Sequence, residues 1–116
     1  MKLSKHFDSS EFRCKCGCNL FIRNDTLVQQ LERLRAVFIG KSIHINSGIR
    51  CVEYNKSIGG ASRSQHLLGT AADITVKGIP PKEVADMLIV MYPSSHGIGR
   101  YRTFTHFDVR ESKARW

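Results

Sequence analysis

The stretch SQHLLGTAAD, residues 64–73, most constrains how this chain can fold, because it leads from a polar loop directly into an alternating strand. In the segment AADITV, residues 71–76, alternate residues are apolar, which is the pattern of a β-strand with one buried face. Asp73 faces away from that apolar side, and His66 lies seven residues earlier on the loop. The small residues between them let the backbone turn closely from loop into strand. An imidazole and a carboxylate are therefore expected near one end of this strand.

Two longer helices are predicted, one on each side of this strand in the chain. After Asn24 or Asp25, either of which can cap a helix, apolar residues recur every three or four positions until Gly40 ends the pattern. Pro80 and Pro81 open the second helix, whose apolar stripe runs through the segment KEVADMLIVMY. Both patterns predict helices with one buried face.

Further strands are predicted from the same kind of alternation. The segment SIHIN, residues 42–46, alternates isoleucine with polar residues, and the segment CVEYNKSIGG after it indicates a short helical turn. The tail HGIGRY…FTHFDVR is expected to form two strands that turn near residues 102–103, with His106 and Asp108 on one face. This order of elements predicts an α+β fold, with a central antiparallel sheet flanked by helices.

Length and charge limit the classes of function. A chain of 116 residues fits one domain, so residues 1–116 are expected to form a single unit that acts as a monomer. The net charge of +8 favours anionic partners, but the basic residues are dispersed, which argues against nucleic-acid binding. The sequence has no run of eighteen apolar residues and no apolar signal region, so no membrane insertion is expected. The chain is expected to stay in the cytoplasm until something else releases it.

His66, Asp73 and His106 are the most informative set of polar residues. Two imidazoles and one carboxylate, brought together from neighbouring strands, are a ligand set of catalytic zinc sites. Each residue alone has an ordinary explanation, since single histidines are often simply packed and strand aspartates often protect a sheet edge. Together they predict a zinc ion as cofactor.

A second group consists of four cysteines, and its role is open at this stage: Cys14, Cys16, Cys18 and Cys51. The stretch CKCGC lacks the two-residue spacing of a zinc knuckle, and only one other cysteine follows it. Reduced, structural thiols are the first interpretation for a cytoplasmic chain. A disulfide from Cys14 or Cys16 to Cys51 after release, and a second metal site, are the alternatives.

The stretches SGIRCVEYNKSIGGASRSQHLLGTAADI and GIGRYRTFTHFDVR, with the final RW, resemble the M15 zinc peptidases, specifically the compact D-alanyl-D-alanine carboxypeptidase-like subgroup. The family pattern has Ser-Gly-aromatic-Arg, Gly-Gly, a histidine and an aspartate with six residues between them, and a closing His-x-Asp. The resemblance runs from about Phe7 to Trp116. It implies the α+β fold of hedgehog-type and D-Ala-D-Ala-type domains. It also implies peptidoglycan stem peptide as substrate, and His66, Asp73 and His106 as the zinc ligands.

The resemblance also implies roles for residues around these ligands. Arg50, which ends the SGIR stretch, corresponds to the family arginine that holds the substrate carboxylate or the developing oxyanion. Ser64 and Gln65 flank His66 and are expected to supply hydrogen bonds around the site and its substrate. The family usually has an aromatic residue where Ile49 stands, so a differently shaped subsite is expected.

The general base is predicted to be Asp108, with His96 as the second candidate. The wider family often has a carboxylate or histidine three residues before the last ligand, but here that residue is Thr103. Asp108 follows His106 by two positions, so both face the same side of a strand, roughly 6.5–7 Å apart along it. The alternative for Asp108 is a role in orienting a ligand or in pairing with Arg110.

These features predict a zinc peptidase that hydrolyses a peptide bond in peptidoglycan, as a carboxypeptidase or an endopeptidase. The short chain and the lack of a signal favour a phage or prophage lysis protein, an endolysin, which acts at the cell wall after release. The first alternative is a catalytically inactive, zinc-containing module that binds wall peptides or a protein. The second is a nucleic-acid binder built on the CKCGC cysteines.

Overall fold

The computed structural model describes all residues, 1–116, and its centre is one five-stranded mixed sheet. The strands are β1 (Ile43–Ser47), β2 (Ala71–Val76), β3 (Gly97–Arg100), β4 (Thr105–Asp108) and β5 (Ala114–Arg115). Their order across the sheet is β1-β2-β4-β3-β5, and every neighbouring pair is antiparallel except β3 and β5. The prediction of an α+β fold is confirmed. The short parallel strand β5 is an addition to the predicted antiparallel sheet.

The three α-helices lie where the sequence patterns place them. Helix α1 (Asp25–Val37) begins after Asn24, whose side chain accepts a hydrogen bond from the Leu27 amide. Helix α2 (Val52–Ser57) is short, and helix α3 (Pro81–Met91) begins with proline at its first position. None of the helices is long and apolar enough to cross a membrane.

Two short 3₁₀ helices were not predicted: Ser9–Glu11 and Gln65–Leu68. The second carries His66, for which the glycine-rich sequence had predicted a loop. The Ser64 side chain caps this helix by accepting a hydrogen bond from the His66 amide, at 3.2 Å. Gly69 ends it in the left-handed region, at φ 75°. This short helix fixes the direction in which the imidazole points.

The two faces of the sheet differ in character. One face packs against α1 and α3 and belongs to an apolar core of 19 buried residues, which includes Ile74, Ile98 and Phe107. The alternation of the strands places Asp73, His106 and Asp108 on the other face, where all three are nonetheless buried. Three acidic or basic side chains therefore lie beside one another on a largely enclosed surface, which requires that each be bound to a partner of complementary charge.

Candidate metal centre

Strand pairing brings the first two residues of the site together. In the register of β2 and β4, Asp73 lies directly opposite His106, so their side chains project side by side. The His106 Nδ1 atom is 3.1 Å from Asp73 Oδ1. This contact joins residues 33 positions apart, and it exists only when the two strands have paired.

His66 completes the set from the 3₁₀ helix. Its Nε2 atom is 3.1 Å from the same Asp73 Oδ1 atom, and its ring meets the His106 ring edge-on, with the centroids 5.1 Å apart. The ligand atoms of His66, Asp73 and His106 all lie within 4.8 Å of one another. The three residues that the sequence singled out are therefore neighbours in space.

The hydrogen bonds behind the two imidazoles determine which ring nitrogens face the centre. The Gly48 carbonyl oxygen is 2.6 Å from His66 Nδ1 and can only accept, so that nitrogen carries the proton. Asp108 Oδ2 is 2.7 Å from His106 Nε2 and holds the proton of that ring in the same way. The remaining lone pairs, on His66 Nε2 and His106 Nδ1, point toward the Asp73 carboxylate.

This donor set fits a zinc ion. Two neutral imidazole nitrogens and a carboxylate oxygen converge at distances that are unfavourable unless a proton or a cation lies between them. Each imidazole also has an acceptor behind it, as metal-binding histidines almost always do. His66, Asp73 and His106 are thus the residues of this face that can hold Zn²⁺.

The charges of the site respond to this packing. Burial raises the pKa of Asp73, but the hydrogen bonds with His106 and His66 outweigh burial and hold its pKa at about 2. Burial lowers the pKa of His106, but the hydrogen bonds to Asp108 and Asp73 outweigh that effect and raise it. Without a metal, His106 therefore keeps a proton more readily than usual, and a binding cation has to displace it.

Asp108 lies behind His106 and does not line the cleft. Its side chain is fully buried and also accepts bonds from the Gly97 amide, at 3.1 Å, and from Arg110 Nη2, at 2.7 Å. Burial raises the pKa of Asp108, but the bonds from His106 and Arg110 dominate and lower it below its usual range. A carboxylate held by so many donors is a weak proton acceptor, and this position matches the ligand-orienting alternative.

His96 lies on the opposite side of the sheet from the three converging residues. Its ring stacks on Tyr92 and Phe107, with centroid distances of 4.2 and 5.5 Å. Its two nitrogens lie 2.6 Å from Ser95 Oγ and 2.6 Å from Gln30 Oε1. The geometry does not bring His96 to the cleft, so neither residue predicted as general base lies there.

Arg50 stands beside Asp73, and each of its three guanidinium nitrogens donates one hydrogen bond. Its Nη2 atom donates to Asp73 Oδ2 at 3.0 Å, its Nε to Ser47 Oγ at 3.1 Å, and its Nη1 to Asn55 Oδ1 at 3.2 Å. The side chain is 12% exposed. Arg50 thus lines the cleft, as expected, but its main contact is to Asp73.

The cleft over the three converging residues has a volume of about 500 Å³. Ser64 and Gln65 line it, as predicted, and Gln65 Oε1 accepts a hydrogen bond from the Thr70 hydroxyl at 2.8 Å. Asp73 is the only acidic side chain in its wall, which also contains Arg63 and Arg110. The cleft is therefore positively charged, apart from the carboxylate at its floor.

Sequence reasoning did not single out three residues of this wall, Arg63, Tyr101 and Phe104, whereas Trp116, which also lines it, belongs to the final RW of the family resemblance. Arg63 makes no hydrogen bond or ion pair within the protein, and it lies three residues before His66 in the glycine-rich loop. That position next to a predicted ligand was the available signal. Trp116 approaches His106 with ring centroids 4.8 Å apart, and its indole donates to the Tyr101 hydroxyl at 2.9 Å. The sequence pattern did not indicate this contact, because Trp116 follows a strand of only two residues, which is too short to show an alternation.

Two comparisons bear on this site. A family model described as Peptidase M15 matches residues 5–108. A zinc D-Ala-D-Ala carboxypeptidase from Streptomyces albus G is 42% identical to this chain over 45 residues. That alignment covers 39% of this chain and 18% of the Streptomyces protein, so the chain matches less than a fifth of this relative's length.

Proposed function

This chain belongs to the M15 peptidase family, and from that premise we propose that it is a zinc-dependent peptidase that cleaves a peptide bond in peptidoglycan stem peptides. The observation that carries the proposal is the convergence of His66 Nε2, Asp73 Oδ1 and His106 Nδ1 at the floor of a basic cleft. The D-Ala-D-Ala carboxypeptidase activity for which the Streptomyces relative is named supports the substrate class. We take residues 1–116 as one peptidase domain.

His66, Asp73 and His106 would hold the zinc ion. When bound, zinc supplies Lewis acidity that polarises a carbonyl group and activates water near neutral pH. Three residues of the chain keep the ligands in position: the Gly48 carbonyl for His66, Asp108 for His106 and Arg50 for Asp73. Such supporting contacts fix the orientation of the imidazole rings and raise the basicity of the ligands, so their loss is expected to weaken zinc binding.

The walls of the cleft suit a short peptide with a carboxylate close to the scissile bond. Arg63 is free of partners in the protein, so its guanidinium is available for such a carboxylate. Tyr101, Phe104 and Trp116 form an apolar rim against which small side chains can pack. We propose Arg63 as a substrate-binding residue in addition to Arg50, Ser64 and Gln65. Both carboxypeptidase and endopeptidase activity are consistent with this wall.

The test is digestion of purified peptidoglycan by the zinc-loaded protein, with the fragments identified by mass spectrometry. We expect release of fragments whose new ends identify the cleaved bond, and no release by His66→Ala or by Asp73→Asn. Intact peptidoglycan after treatment with zinc-loaded wild-type protein would contradict the proposal. Retained binding of the wall peptide in that case would favour the non-catalytic binding module.

A further inference from the structure

The four cysteines meet at one place, away from the cleft. Cys14, Cys16 and Cys18 lie on one tight loop, and Cys51 is the N-cap residue directly before helix α2. Their sulfur atoms all lie within 4.8 Å of one another. The shortest separations are 3.5 Å between Cys14 and Cys16 and 3.7 Å between Cys16 and Cys51.

These distances distinguish between the interpretations of the thiols. A disulfide requires a sulfur–sulfur distance of about 2.05 Å, and all four cysteines are unpaired. Four thiolates around one zinc ion, each bonded at about 2.3 Å, form a tetrahedron whose sulfur atoms are about 3.8 Å apart. The separations of 3.5 and 3.7 Å are close to that value. We propose that Cys14, Cys16, Cys18 and Cys51 form a second, structural zinc site with four thiolate ligands.

The backbone around the sulfurs supports thiolate ligands. The Cys51 amide lies 3.4 Å from Cys14 Sγ, and the Tyr54 amide lies 3.3 Å from Cys51 Sγ. Amide donors of this kind stabilise the negative charge of a thiolate and orient it toward a metal. Gly17, at φ 101°, provides the sharp turn that places Cys16 and Cys18 on one side of the loop. The Cys14 amide closes the loop by donating to the Leu20 carbonyl at 2.9 Å.

This cluster is joined to the cleft through a short piece of backbone. The Ile49 amide donates to the Phe12 carbonyl at 2.8 Å, and a side chain at Gly48 would collide with the Phe12 backbone at 2.7 Å. Gly48 supplies the carbonyl that holds His66, and Arg50 directly precedes Cys51. A metal bound by the cysteines would therefore fix residues 48–51, to which His66 and Asp73 are attached.

The test is the zinc content of protein produced and purified under reducing conditions without chelators. We expect two zinc ions per chain in the wild type and one in Cys16→Ser/Cys18→Ser. His66→Ala should retain one ion, held by the cysteines. Lys15→Ser changes the same loop without removing a thiol, so it should retain both ions. Because the readout is metal content, loss of the proposed peptidase activity would leave this result unchanged.

A second measurement identifies the ligands and remains informative if the cysteine variants fold poorly. Cobalt substituted for zinc should give intense near-ultraviolet absorption from sulfur-to-metal charge transfer in the wild type and in His66→Ala. Titration of the folded wild-type thiols with a mercurial should release one zinc ion per chain. A wild-type zinc content that Cys16→Ser/Cys18→Ser leaves unchanged, iron at the cysteines, or a disulfide among the four cysteines in the reduced protein would overturn the proposal.

Discussion

Two buried aspartates on one face of the sheet differ in what surrounds them. Asp73 faces two imidazole lone pairs, whereas Asp108 is surrounded by hydrogen-bond donors. A carboxylate among donors is held as a fixed anion, while one among lone pairs requires a cation. The same residue type therefore has two roles here, and the neighbouring atoms determine which.

The first prediction concerns Asp108→Asn. The substitution removes the negative charge of the Asp108 carboxylate, which holds the Nε2 proton of His106 and pairs with Arg110. We therefore expect the affinity for zinc to fall by roughly 10–100-fold. Added zinc should then restore much of the activity. The measurement is competitive zinc titration together with turnover at several zinc concentrations.

Loss of turnover in Asp108→Asn without loss of zinc would support the prediction from the sequence that Asp108 is the general base. If Asp108 is the general base, turnover should fall by about 10²–10⁴-fold at unchanged zinc content. His96→Ala is the companion variant, because His96 was the other predicted base. A collapse of activity there, with Asp108→Asn nearly intact, would transfer the role to His96.

The second prediction concerns Arg50→Lys, which keeps the charge but removes the planar fork. Lysine cannot reproduce three directed bonds to Ser47, Asn55 and Asp73, so zinc affinity should fall by roughly tenfold or more. Arg63→Lys is the matched variant and should raise KM without any effect on zinc. A higher KM in Arg50→Lys with unchanged zinc affinity would instead show that Arg50 binds the substrate carboxylate directly.

The sequence identified most of the central residues, but not their contacts. Strand alternation placed Asp73 and His106 on equivalent faces, and the register of β2 and β4 sets them opposite each other. Alternation also placed Asp108 on the face of His106, but it cannot tell whether such a side chain points into a cleft or behind its neighbour. That difference depends on the Gly97 amide, which reaches Asp108 from strand β3, and on the side chain of Arg110, which turns back to pair with Asp108 two residues before it.

Among the elements, the three α-helices and strands β1 to β4 were predicted, whereas β5 and the two 3₁₀ helices were not. Helix α1 contributes four buried residues at helical spacing and an asparagine cap, which is ample local signal. Strand β5 and the 3₁₀ helix at Gln65–Leu68 have two and four residues, too few for a period to show. Their positions are set by tertiary bonds, such as the Trp116 amide to the Ile98 carbonyl at 3.1 Å.

The third prediction concerns the contact that fastens the N-terminal segment to helix α1. Glu32 accepts hydrogen bonds from the Ser4 hydroxyl at 2.5 Å and from the His6 amide at 2.8 Å, and it pairs with the His6 ring at 2.6 Å. Burial raises the pKa of Glu32, but these bonds outweigh it and lower the pKa. We expect Glu32→Gln to reduce the free energy of unfolding by roughly 1 kcal/mol at pH 7.

The pH dependence of this effect follows from the direction of the shift. A glutamate whose pKa is lower in the folded state stabilises the fold above its unfolded pKa, about 4.3, and this contribution is lost as the pH falls below that value. The difference in the free energy of unfolding between wild type and Glu32→Gln, measured by urea unfolding, should therefore become smaller as the pH falls from about 5 to about 3. Glu53→Gln, on exposed α2, is the control and should show no such difference. If the difference in the free energy of unfolding stayed constant with pH, the stabilisation would not come from the ionised carboxylate of Glu32.

For the whole molecule, the fourth prediction is that zinc and the fold stabilise each other. Zinc at 100 times its dissociation constant adds about 2.7 kcal/mol to the free energy of unfolding, which corresponds to a rise in Tm of roughly 10 °C. Chelation should therefore lower Tm and abolish activity together. The measurement is a thermal melt with and without chelator.

A second melt separates the two metal sites. In Cys16→Ser/Cys18→Ser, chelation should still lower Tm by the amount that the zinc ion in the cleft contributes. In His66→Ala, it should still lower Tm by the amount that the zinc ion at the cysteines contributes. A chelator that abolished activity while leaving Tm unchanged in the wild type would show that neither metal contributes to the fold.

The pairing of Asp73 with His106 also has a kinetic consequence. His66 and Asp73 are seven residues apart, so even a disordered chain can bring them together at little entropic cost. His106 is 33 residues beyond Asp73 and reaches it only when β2 and β4 are in register. The unfolded chain can therefore bring only two of the three ligands to a zinc ion. All three are in place only after β2 and β4 have paired. A zinc ion bound by all three residues should mainly lower the rate of unfolding and should have little effect on the rate of folding.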